Sequence, residues 1–291
     1  MSEKLWNFLG DRDNVFTNVT VPKDSQPFLF ERSYLYKVLN ILTEWPLFDR
    51  YNYFLLDSRR SHNFTFDRRS VVFYLSNEDH NVPASLESSL AVFTSYYPRT
   101  NHPGNVYSIP LGVNGSVPLL PVLPYNERKI DVFYSGNLHK RRVKFYIFVS
   151  LFKLRNHLSK ILGGTHLNNY IRFTRRFASG LSPEEYAKML SNAKIALTPE
   201  GYDSNISFRF FEAARAGCII ISCRQSDAWH YQDFPGFYVN SWAELSSIIK
   251  RLKRDPEKAE KIHHQMLRYY DMHCREESTA RYIQQVLKMA N

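Results

Sequence analysis

Alternating apolar runs and helix-like segments in residues 129–255 constrain the fold more than any other feature of the sequence. Each apolar run is rich in β-branched residues and is bounded by glycine or polar clusters, which is typical of a buried strand. Parallel strands need a crossover, usually a helix, so the alternation predicts a doubly wound parallel sheet. The predicted strands are residues 129–137, 170–177, 194–201, 218–223 and 236–240. The predicted helices are residues 140–160, 182–193, 206–216 and 241–255.

The first part of the chain shows a weaker form of the same alternation. The predicted strands there are residues 51–58, 71–80, 90–97 and 106–113, and the predicted helix is residues 32–45. A chain of 291 residues exceeds the usual size of one domain. We therefore predict an α/β protein with two Rossmann-like, doubly wound domains facing a cleft.

A proline-containing segment, residues 114–129, separates the two parts and predicts the linker. We place an N-terminal domain at residues 1–125 and a C-terminal domain at residues 126–291. The last helix is expected to pack back on the N-terminal domain.

Charge is distributed unevenly between these parts. Residues 1–125 carry a formal net charge of −1, whereas residues 126–291 carry +11. A basic C-terminal part favours an anionic ligand there, although a solvated basic surface would have the same composition.

The cysteine content and the chain's start favour a cytoplasmic protein. The cysteines are Cys218, Cys223 and Cys274, an odd number without metal-ligand spacing, so reduced thiols are expected. The N-terminal residues lack the apolar core of a signal peptide. No apolar run reaches the ~18 residues of a membrane span, so no transmembrane segment is expected.

Residues 199–221, "PEGYDSNISFRFFEAARAGCIII", hold the clearest candidate site. A strand is predicted to bring Glu200 to the carboxyl edge of the sheet, and a helix then begins at the same edge. The N–H groups of a helix N-terminus bind anions, and Arg209 in the first turn adds a forked cation suited to phosphate. Glu212 is suited to accepting hydrogen bonds from two vicinal hydroxyls of a ribose. The alternative is an ordinary i,i+3 surface pair of Arg209 and Glu212.

A second basic constellation follows the first strand of the C-terminal domain. The segment "VFYSGNLHKRR", residues 132–142, has a turn at Gly136 and basic side chains at the start of a helix. Basic groups at such an edge suit a diphosphate, and Arg141 or Arg142 is the expected contact.

The loop, the Ser207-x-Arg209 pair and the run "FEAARAGCIIIS" resemble the donor half of GT-B glycosyltransferases, most closely the exostosin-like family. The resemblance covers residues 129–245, and Ile220 stands where that family usually has proline. It implies a nucleotide-sugar donor carrying uridine diphosphate, with xylose as the expected sugar, and a glycan or glycoprotein acceptor. The implied donor-binding residues are Gly136, Arg141, Arg142, Glu200, Gly201, Asn205, Ser207, Arg209 and Glu212.

An inverting transfer would need a general base from the N-terminal domain. Asp79 is the first candidate, followed by Asp57 and His80, each near the end of a predicted strand. A retaining transfer would need no such base. The one Asp-x-Asp, at residues 11–13, lies in a polar N-terminus, so neither a metal nor another cofactor is expected.

Three other functions are compatible with parts of the sequence. The net charge and the aromatic content fit a nucleic-acid-binding protein, but the basic residues are not interleaved with aromatics on one sheet face. A dehydrogenase or epimerase would show G-x-G-x-x-G after a strand, which is absent. A non-catalytic relative that binds nucleotide sugars remains an alternative to the enzyme, and no nucleic-acid partner is expected.

Overall fold

The computed structural model describes residues 18–20, 31–59, 63–97, 102–164, 166–175, 179–202 and 204–290. The chain divides into two compact units. Unit 1 comprises residues 1–115, 228–230 and 273–291, and unit 2 comprises residues 116–227 and 231–272. The predicted α/β class is confirmed, since each unit contains a parallel sheet of five strands.

In unit 1 the described strands lie in chain order, β1-β2-β3-β4-β5, and every neighbouring pair is parallel. The strands are β1 (Val19–Thr20), β2 (Asn52–Asp57), β3 (Ser70–Leu75), β4 (Ala91–Thr94) and β5 (Val106–Ser108). Two long helices, α1 (Arg32–Leu42) and α7 (Glu276–Ala290), pack against each other. The Tyr34 hydroxyl of α1 lies 2.6 Å from Thr279 Oγ1 of α7, so the last helix belongs to this unit.

Aromatic side chains from neighbouring strands form the centre of the unit 1 core. The rings of Tyr53 and Phe73 stack with centroids 6.5 Å apart, and those of Phe73 and Phe93 with centroids 5.5 Å apart. Ile283 and Leu287 of α7 pack into the same cluster. Burying these side chains stabilises the unit by about 1.5–3 kcal/mol each.

In unit 2 the sheet order is β7-β6-β8-β9-β10, again with all neighbours parallel. The strands are β6 (Ile130–Asn137), β7 (Asn169–Thr174), β8 (Ala193–Thr198), β9 (Ile219–Cys223) and β10 (Phe237–Val239). The helices are α2 (Val143–Ile161), α3 (Pro183–Ser191), α4 (Phe208–Arg215), α5 (Leu245–Arg254) and α6 (Pro256–Tyr269). β6 has β7 on one side and β8 on the other, which is the strand order of a doubly wound sheet.

Local sequence signals explain where several of these helices begin. The Ser182 side chain accepts a hydrogen bond from the Glu185 N–H, and the Glu185 carboxylate accepts one from the Ser182 N–H. This capping box satisfies two N–H groups that the helix leaves free. Ser241 and Glu244 form a second capping box, but it caps a short 3₁₀ turn, Trp242–Glu244, that precedes α5.

One strand end and the unit boundaries differ from the sequence-based boundaries. The predicted strand at residues 71–80 ends at Leu75, because Ser76 and His80 have φ angles of 57° and 61°, outside the extended region. The predicted linker, residues 114–129, belongs to unit 2 from Ser116 onward and includes a 3₁₀ turn, Tyr125–Glu127. Residues 273–291 belong to unit 1 rather than to the C-terminal part.

Candidate functional site

The carboxyl ends of β6 and β8 form the topological switch point of unit 2. Strand order reverses there, and in open α/β sheets ligands bind outside the carboxyl ends of the strands at such a point. Gly136 and Asn137 end β6, and Glu200 follows β8. The loop after Glu200 leads into α4. The predicted donor-binding residues therefore lie on β6 and the residues that follow it, on the loop after β8, and on α4 with its N-cap.

Arg142 joins the two strand ends. Its Nε donates to the Glu200 carbonyl at 2.6 Å, and its Nη1 donates to Asn137 Oδ1 at 2.9 Å and to the Asn137 carbonyl at 3.1 Å. The side chain is only 5% exposed, and burial lowers the pKa of Arg142 from its usual value. An arginine stays protonated in proteins even so. Arg142 therefore fixes the two loops relative to each other and places a buried positive charge beside them.

Arg209 lies against the end of β6. Its Nε donates to the Ser135 carbonyl at 3.0 Å, and its guanidinium carbon lies 5.9 Å from the centroid of the Tyr134 ring. A Cβ atom at Gly136 would lie 2.7 Å from Arg209 Nη2. The absence of a side chain at Gly136 is therefore what lets the guanidinium rest on the strand end.

The start of α4 contains polar atoms that nothing in the described residues satisfies. Ser207 has extended backbone angles at the N-cap position, but its side chain makes no capping hydrogen bond. The Ser207 Oγ and Glu200 Oε2 atoms are both buried without a hydrogen-bond partner among the described residues. Buried polar atoms are rarely left unpaired in proteins. The Ser207 hydroxyl and the free N–H groups of α4 can donate hydrogen bonds to an anionic ligand, whereas Glu200 Oε2 can only accept one from a ligand hydroxyl or N–H group.

Gly201 makes the tight loop between β8 and α4 possible. A Cβ atom at Gly201 would overlap the carbonyl oxygen of Ile206. The loop is held further by Asn205, whose Nδ2 donates to the Arg224 carbonyl at 2.8 Å. Both glycine and asparagine thus shape the backbone at the site.

Glu212 lies on α4 with its side chain only 5% exposed. It hydrogen-bonds the Tyr186 side chain of α3, and burial, reinforced by the charge of Glu212, raises the pKa of Tyr186 well above its usual value. Because Glu212 is buried and Arg209 is half-buried, the two do not form the exposed surface pair considered from the sequence.

Two aromatic side chains that the sequence did not single out lie beside this site. The rings of His139 and Tyr202 are 4.2 Å apart, and they join the loop after β6 to the loop after β8. Tyr202 is exposed, and Arg141, which is half-buried, donates its backbone N–H to His139 Nδ1 at 3.4 Å. The position of Tyr202 beside this site was not predictable from the sequence, since Tyr202 is one of 19 tyrosines in the chain.

The predicted catalytic residues lie in unit 1, near the carboxyl ends of β2 and β3. Asp57 ends β2, is 1% exposed, and accepts hydrogen bonds from Arg59 Nε at 2.8 Å and Nη2 at 2.9 Å. Both carboxylate oxygens are therefore bonded to one guanidinium. Asp79 is exposed and accepts a 3.3 Å hydrogen bond from the Asn81 N–H. His80 Nδ1 lies 2.8 Å from the Tyr97 carbonyl.

Glu31 is a further acidic residue of this group that sequence reasoning missed. Its Oε1 accepts a 3.0 Å hydrogen bond from the Ser76 N–H, and burial raises the pKa of the Glu31 carboxyl. Arg59 lies close enough to oppose that shift. The bond holds Ser76 in its left-handed conformation, so Glu31 shapes the loop that carries Asp79 and His80. No sequence signal distinguishes Glu31, because it directly precedes α1 without forming a cap.

The described residues contain neither a metal-binding cluster nor a membrane-spanning helix. No group of three or more His, Cys, Asp or Glu side chains is arranged to hold a metal ion in those ranges. Residues 11–13, which contain the Asp-x-Asp, lie outside them. Within the same ranges, no helix combines the length and the apolar character needed to cross a bilayer.

Comparison with known proteins adds a family match. A family model described as glycosyl transferase-like matches residues 141–288, just over half of the chain. No curated protein sequence matches significantly.

Three solved structures are similar to this chain. Sucrose-phosphate synthase from Thermosynechococcus elongatus is 14% identical over 93% of this chain and 80% of that one, with a TM-score of 0.48. HepE from Anabaena, in complex with UDP and glucose, is 12% identical over 88% and 76%, with a TM-score of 0.48. A glycosyltransferase from Rickettsia africae is 12% identical over 88% and 81%, with a TM-score of 0.48.

Proposed function

Since this chain belongs to the glycosyl transferase-like family, we propose that it is a glycosyltransferase of the GT-B type and that its donor is a uridine diphosphate sugar held by unit 2. The proposed reaction transfers the sugar, with xylose as the first candidate, to a hydroxyl group of a glycan or glycoprotein. It proceeds with inversion and without a metal ion.

The observation that carries this proposal is the set of anion-binding groups at the carboxyl edge of β6 and β8. Arg209 lies on the end of β6, Arg142 lies beneath the loops, and α4 begins at the same edge. The buried Ser207 Oγ atom has no partner among the described residues and is available to a phosphate oxygen. A diphosphate would bind the Arg209 guanidinium and the helix N-terminus at once, with the buried charge of Arg142 nearby.

In this proposal the same groups assist the departure of the diphosphate. Negative charge grows on the leaving oxygen as the bond to the sugar breaks, and fixed cations near that oxygen stabilise the transition state more than the ground state. Arg209 is the main group in this role because it is half-buried and its guanidinium lies against Gly136 at the end of β6. Arg142 contributes a buried positive charge and holds the loop at Glu200 in place through its hydrogen bond to the Glu200 carbonyl.

Glu212 is the proposed ligand of the ribose hydroxyls. Tyr186 orients its carboxylate, since the two side chains are hydrogen-bonded. A carboxylate held in this way accepts two hydrogen bonds without searching among rotamers, which lowers the entropic cost of binding. The ribose is unchanged in the reaction, so this contact affects KM more than kcat.

Inversion requires a base that accepts the acceptor's hydroxyl proton, and Asp79 is the proposed base. Its carboxylate is exposed, whereas both oxygens of Asp57 are bonded to Arg59. His80 is the second candidate, because one ring nitrogen is fixed by the Tyr97 carbonyl. Glu31 acts as a positioning residue for this loop through its bond to the Ser76 N–H.

Calorimetric titration of uridine diphosphate and uridine diphosphate sugars in the presence of a metal chelator tests the proposal. The protein should bind them, and Arg209→Ala should lower the affinity by about ten- to a hundredfold, because a hydrogen bond to a charged group contributes roughly 1.5–3 kcal/mol. Arg254→Ala, which removes an exposed arginine at the end of α5, is the matched control and should leave the affinity unchanged.

Two results would contradict the proposal in different ways. Binding that appears only after Mn²⁺ or Mg²⁺ is added would refute the metal-free mechanism while leaving the donor site standing. Equal affinities of the wild type, Arg209→Ala and Arg254→Ala would refute the donor site itself.

A further inference from the structure

Helix α2 displays a continuous apolar stripe on the surface of unit 2. Its members recur every three or four residues, which places them on one side of an α-helix. Each is between 47% and 67% exposed: Val143, Ile147, Leu151, Leu154, Leu158 and Ile161. At a rise of 1.5 Å per residue the stripe is about 27 Å long.

The fold of unit 2 uses the opposite side of the same helix. Phe145, Val149 and Phe152 are buried in the core that the sheet and α5 share. At 100° per residue these three project about 173° away from the stripe. A surface helix normally presents polar residues on the side facing away from the core, and monomeric soluble proteins rarely expose a large contiguous apolar patch. The stripe is therefore expected to be covered by a surface outside this chain.

The charges along α2 identify the kind of surface. None of its 19 residues is Asp or Glu. Lys144 and Arg155 lie along one edge of the stripe, and both are exposed. An apolar stripe bordered by cations is the arrangement of helices that lie in the interface of an anionic bilayer.

We propose that α2 is a docking surface for an anionic lipid bilayer, with the stripe inserted at the level of the headgroups. A second copy of the chain is the weaker candidate, because a two-fold contact would place the stripe against itself. Lys144 and Arg155 of one copy would then face the same cations of the other, with no carboxylate on α2 to offset the repulsion. The negative phosphates of anionic lipids would instead attract these cations.

Vesicle flotation of the full chain tests this surface. Vesicles of phosphatidylcholine with added phosphatidylglycerol should carry the protein, and binding should weaken as salt rises, because salt screens the attraction. Leu154→Gln should lower the vesicle affinity by on the order of tenfold, since a leucine loses its insertion into the apolar layer. Leu119→Gln removes an exposed leucine outside α2 and should leave the affinity unchanged.

A charge-matched pair of variants separates this surface from the chain's overall basicity. Lys144→Gln with Arg155→Gln should lower the affinity by about fivefold per charge removed. Lys250→Gln with Arg254→Gln changes the net charge equally on exposed positions of α5 and should have a clearly smaller effect. Equal effects of the two pairs would show that the net charge, rather than α2, attracts the vesicles, and would overturn the proposal.

A fluorescent probe on the stripe gives an independent readout. The three native cysteines are buried, and burial raises the pKa of Cys218 to about 11 and that of Cys223 to about 12, so a thiol reagent would select Ile147→Cys. An environment-sensitive label there should shift to the blue with anionic vesicles. An unshifted label, equal binding to neutral vesicles, or a dimer in light scattering that Leu154→Gln disrupts would each overturn the proposal.

Discussion

Gly136 shows how one missing side chain organises the proposed donor site. A Cβ atom at this position would lie 2.7 Å from Arg209 Nη2 and 2.8 Å from the Tyr134 hydroxyl. Both distances are too short for real contacts; the Arg209 side chain is flexible and can move aside, whereas the Tyr134 ring is buried in the core. A side chain at Gly136 would therefore displace the guanidinium.

Gly136→Ala should weaken donor binding by about tenfold or more, because it removes the charge-assisted contact of Arg209. Gly104→Ala is the matched control, since a Cβ atom there meets nothing within 4 Å. The double variant Gly136→Ala with Arg209→Ala should bind no worse than Arg209→Ala alone. Additive losses in calorimetric titration would show that Gly136 acts by another route.

Residues with a local signature were predictable, and those that depend on distant neighbours were not. The elements that carry Arg209 and Glu200 could be predicted because a strand, a loop and a helix start follow one another in the sequence. Glu31 could not, because its partner Ser76 lies 45 positions away and only the folded chain brings them together. The same applies to Tyr186, whose bond to Glu212 joins α3 to α4.

At the scale of elements, a single buried arginine attaches the segment before β6 to the sheet. Arg128 is 1% exposed and donates to the carbonyls of Leu123 at 3.0 Å, Ala193 at 2.7 Å and Ala216 at 2.6 Å. These carbonyls belong to the predicted linker, the start of β8 and the end of α4. Arg128 therefore explains why the segment from Ser116 belongs to unit 2.

Arg128→Met should lower the free energy of unfolding by on the order of 3 kcal/mol, because three carbonyls lose their charged donor. Arg254→Met, at an exposed position, should change it by less than about 0.5 kcal/mol. Urea denaturation of both variants measures the difference. A stability of Arg128→Met equal to that of the wild type would mean that the cost of burying the guanidinium offsets its hydrogen bonds.

The elements themselves were largely predictable because their signals are local. The strands of unit 2 follow the apolar runs, and a local Ser-Pro-Glu-Glu sequence forms the Ser182 capping box that begins α3. The burial of Arg128 was not foreseeable, since charged residues are rarely fully buried. The outward face of α2 was equally hidden, because an apolar helix predicts a buried helix unless its neighbours are known.

At the scale of the whole molecule, buried titratable groups in both units make stability depend on pH. His230 of unit 1 is fully buried, and burial, reinforced by His273, lowers the pKa of His230 to about 3. Burial also lowers the pKa of His263 in unit 2. Glu31 acts in the opposite sense. Its pKa is raised in the folded protein, so its contribution to stability falls as the pH rises above 4.5, the ordinary pKa of a glutamate.

His230 should make the protein lose stability on acidification between pH 6.5 and about 3. In that window the unfolded chain protonates this histidine and the folded chain does not, so protons favour unfolding. The full stabilisation is present above pH 6.5, and the loss reaches at most about 1.4 kcal/mol per pH unit for one group. His230→Phe keeps a ring and removes the titration, so its stability should fall less steeply with decreasing pH.

The comparison of slopes isolates His230, because the contributions of Glu31 and His263 are common to both proteins and cancel in the difference. Urea denaturation at several pH values between 4 and 7 measures those slopes. His264→Phe, which changes an exposed histidine in the same way, should keep the wild-type slope. If His230→Phe also keeps the wild-type slope, His230 is protonated in the folded protein over this range, and its burial does not control the acid stability of the molecule.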